Sequence, residues 1–393
     1  MAAYFDHNAT TPLDPRVLQA MLPYMQQATN ASSRHSFGRH ARQAVESARE
    51  QVALAVGAHP TQVLFTSGGT EADNLAIQGL AAALKPSPAL NQIVVSAVEH
   101  PAVMKTAQML RRQGWQLRVA AVDANGLLDM DDFRIALQTP TALISVMLAN
   151  NETGVIQDVA TLAGLAKSQK IPFHTDAVQC LGKMALDFAS LNAGGVQAMS
   201  LSAHKIGGPQ GMGALVFDKR LDIRPLQYGG GQEKGLRGGS ENVAAIVGFG
   251  AACELLGLDK QGSANTGSDS AENINELRVT LEAGIHALGG VIFGEHGPRL
   301  NNTSFFAFPE VDGETLVMAL DRANFAVASG SACSSDSTDP SPVLLAMGVD
   351  AKLAQGAVRV SLGKGNSMQE VLEFLQVLQG QLVRMKQFMA MAA

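Results

Sequence analysis

Short apolar runs alternate with segments of helical length along the first two thirds of this chain, and nothing else constrains its fold as tightly. Val63 to Ser67 is β-rich, and Thr70 to Leu84 reads as a helix. Ile93 to Ala97 reads as a strand, Pro101 to Gln113 as a helix, and Gln116 to Val122 as a strand. Ala142 to Leu148 is a buried strand, Asp158 to Lys170 a helix, Pro172 to Thr175 a strand, and Met199 to Ser202 and Ala214 to Phe217 complete the set. The pattern predicts an α/β fold, with a mostly parallel sheet and helices on both faces. Binding sites in such folds lie outside the carboxyl ends of the strands.

At 393 residues the chain exceeds one typical domain. Its periodicity lapses in a polar stretch from Asp259 to Glu272, which predicts a loop and a domain boundary. A second α/β pattern follows: helix 272–288, strands near 291–293 and 303–308, helix 313–323, strands 325–329 and 357–362, and a long helix from Met368. The expected division is a large domain over 15–258 and a small α+β domain built from 1–14 and 259–393. With 46% apolar residues and a net charge of -6, the composition is that of a globular protein without an electrostatic footprint for nucleic acid or anionic membrane. No apolar run approaches the ~18 residues of a membrane span, and residues 1–14 lack a signal-peptide pattern. Three scattered cysteines suit neither a disulfide framework nor a zinc site, so a reduced, cytosolic protein without a resident metal is expected.

The chemistry concentrates in Ser200-Leu201-Ser202-Ala203-His204-Lys205. A lysine amine at a strand end can form a Schiff base with an aldehyde cofactor, and Ser202 and His204 beside it can hold a phosphate. The plain alternative is a surface lysine closing a strand. Upstream, Thr66-Ser67-Gly68-Gly69-Thr70-Glu71-Ala72-Asp73 gives strand, glycine turn and helix start, with Thr70 and Asp73 resembling a capping box. Free amides at Gly69 and the Thr70 hydroxyl could accept a phosphate, although most capped glycine turns bind nothing. The glycines match neither a Walker loop nor G-x-G-x-x-G.

Asp176 closes the apolar strand of Phe173-His174-Thr175-Asp176-Ala177-Val178-Gln179. A carboxylate there suits a pyridinium nitrogen, while a lone strand-end aspartate more often caps the next helix. His100 ends another strand, where an imidazole either stacks on a flat ring or packs in the core. Asn151, in Asn150-Asn151-Glu152-Thr153-Gly154, brings an amide toward the same crevice. Cys333 lies in a run of small polar residues, Ser329 to Asp339, that predicts an exposed, mobile loop. A thiol there gains nothing by packing and suits a nucleophile. Cys180 and Cys253 sit among apolar residues and read as small hydrophobes.

Taken together, these segments resemble the cysteine desulfurases of the NifS and IscS kind, fold-type I pyridoxal-phosphate enzymes. The likeness runs from Phe5-Asp6-His7-Asn8-Ala9-Thr10-Thr11-Pro12 to Arg359-Val360-Ser361-Leu362-Gly363, through TSGGTE, EHPAV, NNETGV, HTDAVQ, SLSAHK, GGGQEKGLRGGSEN and SGSAC. It implies a seven-stranded large domain and a homodimer. It implies that Lys205 carries pyridoxal 5'-phosphate, that His100 stacks on its ring, that Asp176 pairs the ring nitrogen and that Gln179 bonds the ring hydroxyl. Gly69, Thr70, Ser202 and His204 would hold the phosphate, with Ser240 reaching in from the partner subunit. Asn8, Asn151 and Arg359 would meet the carboxylate of L-cysteine, with Asn151 also orienting the ring. Lys205 would move the Cα proton, and Cys333 would take the sulfur as a persulfide, leaving alanine. The sulfur would pass to an acceptor such as an Fe–S scaffold protein, with Cys333 at most a passing ligand to the cluster. Two departures stand out: Asn30-Ala31-Ser32-Ser33 replaces the common Asn-Pro-Ser-Ser, and no extended tail follows Met389-Ala390-Met391-Ala392-Ala393. A selenocysteine lyase, an aminotransferase or a kynureninase-like lyase would share the cofactor set, and a non-catalytic sulfur scaffold is the reading from another class.

Overall fold

The computed structural model describes residues 2–28, 30–84, 90–266, 268–330 and 339–392, and of 258–272 and 388–392 the backbone alone. The alternating pattern forms one seven-stranded sheet: β1 (Val63–Thr66), β2 (Gln92–Ser96), β3 (Gln116–Ala120), β4 (Thr141–Ser145), β5 (Phe173–Asp176), β6 (Ala198–Ser202) and β7 (Gly213–Phe217). Their spatial order is β1-β7-β6-β5-β4-β2-β3. Only β7 runs antiparallel to its neighbours. Every residue of β1, β2 and β4–β7 is buried, which is why these strands read as unbroken apolar runs. β3 lies at one edge, where Gln116 and Val119 are exposed.

Apolar side chains fill both faces of the sheet. One face packs Val45, Val52, Phe133, Leu162, Phe173, Phe188 and Phe249. The other packs Leu64, Leu75, Leu80, Ile93, Leu110 and Trp115 from helices 69–84 and 101–112 and the strands beneath. A separate core joins Phe5 to residues 277–382. There Phe5, Phe325 and Phe374 form a ring triad, with centroids 5.4 to 5.8 Å apart. Burying a phenylalanine stabilises by about 1.5–3 kcal/mol, so Phe5 fastens the first residues to a core made much later in the chain. Ala3–Tyr4 accordingly pairs in parallel with Phe325–Ala326.

Two expected elements differ. The polar stretch 259–272 is helical over Val243–Thr266 and again over Ser268–Ala287. Buried Ile246, Phe249 and Ala252 anchor the first helix, and Leu277, Leu281 and Ile285 the second. Helix nucleated on packed turns propagates outward through Lys, Gln, Ala and Glu at little cost. The expected strand 325–329 divides in two, because Ala328–Ser329 turns to pair antiparallel with Val358–Ser361 in the smaller sheet. Among the described residues, no helix is long and apolar enough to cross a membrane.

Candidate active site

The expected site residues gather at the carboxyl ends of β1, β2, β4, β5 and β6, where the N-terminal segment crosses the sheet. Helix 69–84 begins at Gly69, beside β6. A Cβ at Gly69 would lie 2.5 Å from Val178 Cγ2, so only glycine allows this close approach. The expected cap differs: Glu71 Oε2 accepts from the Ser67 amide at 2.8 Å, while Asp73 is buried beneath the helix. Gly69, Thr70, Ser202 and His204 line one cavity with Thr10. The Ser202 hydroxyl oxygen is buried in it without a partner. His204 Nδ1 lies 3.1 Å from Thr10 Oγ1, and burial followed by the charge of Lys205 lowers its pKa to about 4.

Lys205 ends a short 3-10 turn after β6 and donates to the carbonyl oxygens of Asn8 and Ala9. Asp176 ends β5, and its Oδ1 accepts from the Val178 amide at 2.9 Å. Burial raises its pKa, opposed by His100, that amide and Lys205. His100 caps helix 101–112 by accepting from the Ala102 amide at 3.1 Å. Burial lowers its pKa, favouring the neutral imidazole. An Asp176 oxygen, an Asp73 oxygen and a His100 nitrogen all lie within 4.8 Å of one another.

The Asn8 side chain has less freedom than expected of a substrate contact. Its Oδ1 accepts from Lys183 Nζ at 2.7 Å and Asn302 Nδ2 at 3.1 Å. Its Nδ2 donates to the Asn151 carbonyl at 3.2 Å and Thr303 Oγ1 at 2.9 Å. Both atoms are therefore committed within the protein. Gln179 is tied to the same hub, donating to the Asn8 carbonyl at 3.0 Å and accepting from Lys183 Nζ at 2.8 Å. Arg359 donates to Asp6 Oδ1 at 2.6 Å and to the Asn151 carbonyl at 3.0 Å, and its buried Nε has no partner. The site thus holds an unpartnered hydroxyl beside a helix N-terminus, a lysine, an imidazole near a buried carboxylate, and a guanidinium with one buried, unpartnered nitrogen. Such a cleft suits a planar heteroaromatic group with an anionic tail, and a small carboxylate beside it.

A model of the class-V aminotransferase family matches residues 3–374. The chain belongs to this family. It is 44% identical over 386 residues to a cysteine desulfurase of Bradyrhizobium diazoefficiens, covering 98% of this chain and 95% of that one. It is 41% identical over 381 residues to the cysteine desulfurase IscS of Dictyoglomus turgidum, covering 96% and 93%. A solved NifS-like protein superposes with a TM-score of 0.89 at 35% identity, covering 98% of this chain and all of the other.

Other residues of the chain stand apart from the cluster. Ser240 is exposed at the end of the segment 227–240 and does not line the cavity of Ser202 and His204. That segment is pinned by Glu233, which has φ 46°, accepts from Arg49 Nη1 and Nη2 at 2.9 Å each and takes the Phe65 amide at 2.9 Å. Cys333 lies outside the described residues. Cys180 and Cys253 are buried free thiols, and burial pushes both well above the usual thiol range. Sequence reasoning missed Lys183, whose amine is lowered to about 7 by burial and then by Lys205. It also missed Asp6 as the partner of Arg359, and the buried acid Glu99. Lys183 lies just beyond the motif ending at Gln179, and it and the two acids carry no periodic or spacing signal of their own.

Proposed function

We propose that this chain is a cysteine desulfurase that holds pyridoxal 5'-phosphate on Lys205, takes L-cysteine to L-alanine, and passes sulfur through a persulfide on Cys333. The observation that carries the cofactor is the buried Ser202 hydroxyl, unpartnered in the cavity at the start of helix 69–84, three residues before Lys205. A buried hydroxyl without a partner costs about 1–3 kcal/mol, and a phosphate oxygen would relieve it. The Gly69 and Thr70 amides point the positive end of the helix at the same place. Asp176 would face the ring nitrogen, His100 the ring and Gln179 its hydroxyl. When bound, pyridoxal phosphate would withdraw electrons from the substrate Cα.

The protein's own groups would do the rest. Arg359 would draw the substrate carboxylate to its unpartnered Nε, in competition with Asp6, and Asn151 would orient the ring beside it. The Asn8 amide would hold Asn151, Lys183, Asn302 and Thr303 in register and touch no substrate atom. Lys205, presented between the Asn8 and Ala9 carbonyls, would take the Cα proton. The Cys333 thiolate would attack the substrate sulfur, the bond from that sulfur to Cβ would break with its electron pair kept by the carbon, and Cβ would take up a proton to leave as alanine. Ser240 would complete the phosphate cradle of a second copy in a homodimer, its segment stiffened by Arg49 and Glu233. The core of Phe5 with residues 277–382 supports a small domain from 1–14 and 259–393 beside a large one over 15–258, and Val98 and Met147 pack with Phe293 and Phe305 between them. Sulfur would leave to an acceptor of Fe–S assembly or another sulfur-requiring route in the cytoplasm.

Replacing Cys333 by serine tests this reading. Cys333→Ser should keep the coloured, borohydride-trapped cofactor on Lys205 and release no sulfide from cysteine. Mass spectrometry of the parent after cysteine treatment should find added sulfur on the Cys333 peptide. Parent-rate sulfide release by Cys333→Ser, or a trapped cofactor surviving Lys205→Ala, would overturn the assignment.

A further inference from the structure

Beneath the site lies a group of buried acids that the proposed reaction does not use. Asp73 projects from helix 69–84 into the sheet and is 1% exposed, and its Oδ1 has no hydrogen-bond partner. That carboxyl shares the 4.8 Å cluster with Asp176 and His100. Glu99 is also buried, accepting from Ser96 Oγ at 2.5 Å and from the Met147 amide at 2.8 Å, with its other oxygen unpartnered. Among the described residues, Asp73 and Glu99 are paired with no arginine or lysine. The ring of His174 comes closest to Asp73, its Nε2 lying 3.6 Å from Oδ1.

His174 does not supply the missing positive charge. Its two ring nitrogens face Ser145 Oγ at 2.8 Å and Ser200 Oγ at 2.9 Å. It is fully buried, and burial drives its pKa down to about 3, so the imidazole is neutral. The other elements packed on helix 69–84 bring no counter-charge to Asp73, since Arg237 pairs with Glu71 in the first turn. Strands β1, β4, β6 and β7 carry no titratable side chain, and Lys105, Arg111 and Arg112 of helix 101–112 are exposed. Asp176, Glu99, His100 and His174 are therefore the titratable groups that surround Asp73. Two carboxylates this close in a dry site do not both ionise readily, because burial strips each of water and each charge repels the other.

We propose that Asp73 is a positioning residue that keeps its proton in the folded protein, so that Asp176 alone carries the negative charge of the cluster toward His100 and the cofactor ring. The cofactor clause rests on the function proposed above; the proton on Asp73 does not. The asymmetry follows from the surroundings. Burial and then the charge of Asp176 hold Asp73 well above the carboxylate range. Burial also raises Asp176, but His100, the Val178 amide and Lys205 pull it back. Asp73 has one such helper, the Ser200 hydroxyl, against two charged groups and an amide at Asp176, so the proton settles on Asp73. A protonated Asp73 is an O–H donor aimed into a cluster that contains a carboxylate, and asparagine would present an N–H donor from nearly the same place.

Infrared spectroscopy of the cofactor-free protein near neutral pH reads the proton directly. The difference spectrum of the parent against Asp73→Asn should show one protonated-carboxyl C=O band belonging to the parent. No such band, or loss of an ionised-carboxylate band instead, overturns the proposal. A second arm adds pyridoxal phosphate and follows its release and the pH midpoint of its absorbance. Asp73→Asn should stay within about twofold of the parent, while Asp73→Ala should release the cofactor on the order of tenfold faster with a displaced midpoint. Equal release by both variants would refute the positioning role even if the infrared band is present. If Asp73→Ala does not fold, the infrared and Asp73→Asn measurements still decide. If the parent itself binds no pyridoxal phosphate, the functional reading falls and the infrared result on Asp73 stands.

Discussion

Two sets of buried charge in this molecule look alike in sequence and differ in their accounts. Around Arg49, each charge has a partner. Its guanidinium grips Glu233 with two 2.9 Å bonds, donates to the Val63 carbonyl at 3.0 Å and lies 4.8 Å from the centroid of the Phe65 ring. Glu233 takes the Phe65 amide as well. Around Asp176 the balance fails: three carboxyls converge, and Asp73 and Glu99 each leave one oxygen unpartnered. A satisfied ion pair fixes a shape, here the left-handed backbone of Glu233 and Lys234 that sets the segment bearing Ser240. An unsatisfied acidic cluster stabilises nothing by itself, and such imbalance marks places where charge is put to chemical use.

The strongest blow to this contrast would come from the Arg49 side. Glu233→Ala should cost about 3–5 kcal/mol by denaturant unfolding, since it strands a buried guanidinium. Pairing Arg49→Met with Glu233→Leu should restore much of that loss. A single-variant cost below about 1 kcal/mol would erase the distinction between the two sets.

A smaller and pH-dependent effect is expected in the acidic cluster. Burial raises Glu99 to about 8 from 4.5, with Asp176 adding to it and the Ser96 hydroxyl and Met147 amide opposing. The folded form then holds a proton that the unfolded form releases. That contribution is complete below pH 4.5 and is lost as pH rises toward about 8. Glu99→Gln lacks this loss. Its stability should gain on the parent with rising pH over that window, by at most ~1.4 kcal/mol per unit, and level off above it. Unfolding midpoints at several pH values would show it, and a gap that is flat or reversed in sign would mean Glu99 is ionised in the fold.

The smallest change belongs to another arginine–glutamate pair, one that lacks the burial of Arg49 and Glu233. Arg237 donates to Glu71 at 3.0 Å with both side chains 23% exposed. Arg237→Ala should cost under about 1 kcal/mol, and that cost should shrink further in high salt. A loss as large as that of Glu233→Ala would show that burial is not what separates the two pairs.

The central sheet was legible because its strands are buried on both faces and its helices are not, so hydrophobic periodicity alone separates them. The candidate site was legible wherever a chemical group sits at a strand end, as with His100, Asp176, Ser202 and Lys205. It was not legible where a role depends on what lies across space. The Asp73 carboxyl reads as a cap because its partner set, Asp176 and Glu99, is spread over two strand ends. Asn8 reads as a substrate contact until Lys183, Asn302 and Thr303 are seen to occupy both ends of its amide. The helices through 259–272 escaped notice because polar residues carry no periodic signal, although the anchored turns on either side extend into them.

The joining of Phe5 and Asn8 to residues beyond 300 also sets an order of events during synthesis. Ala3 and Tyr4 have their strand partners in Phe325 and Ala326, and the Asn8 amide finds Asn302 and Thr303. At translation rates of about 5–20 residues per second, the first strand waits roughly a quarter of a minute to a minute for them. Through that interval Tyr4 and Phe5 are an unpaired strand and a bare aromatic ring on the nascent chain, and a trigger for wrong pairing. The large sheet can be complete while both wait, because all seven of its strands end by Phe217. The growing chain therefore carries a finished scaffold whose first strand closes only after synthesis has passed residue 326.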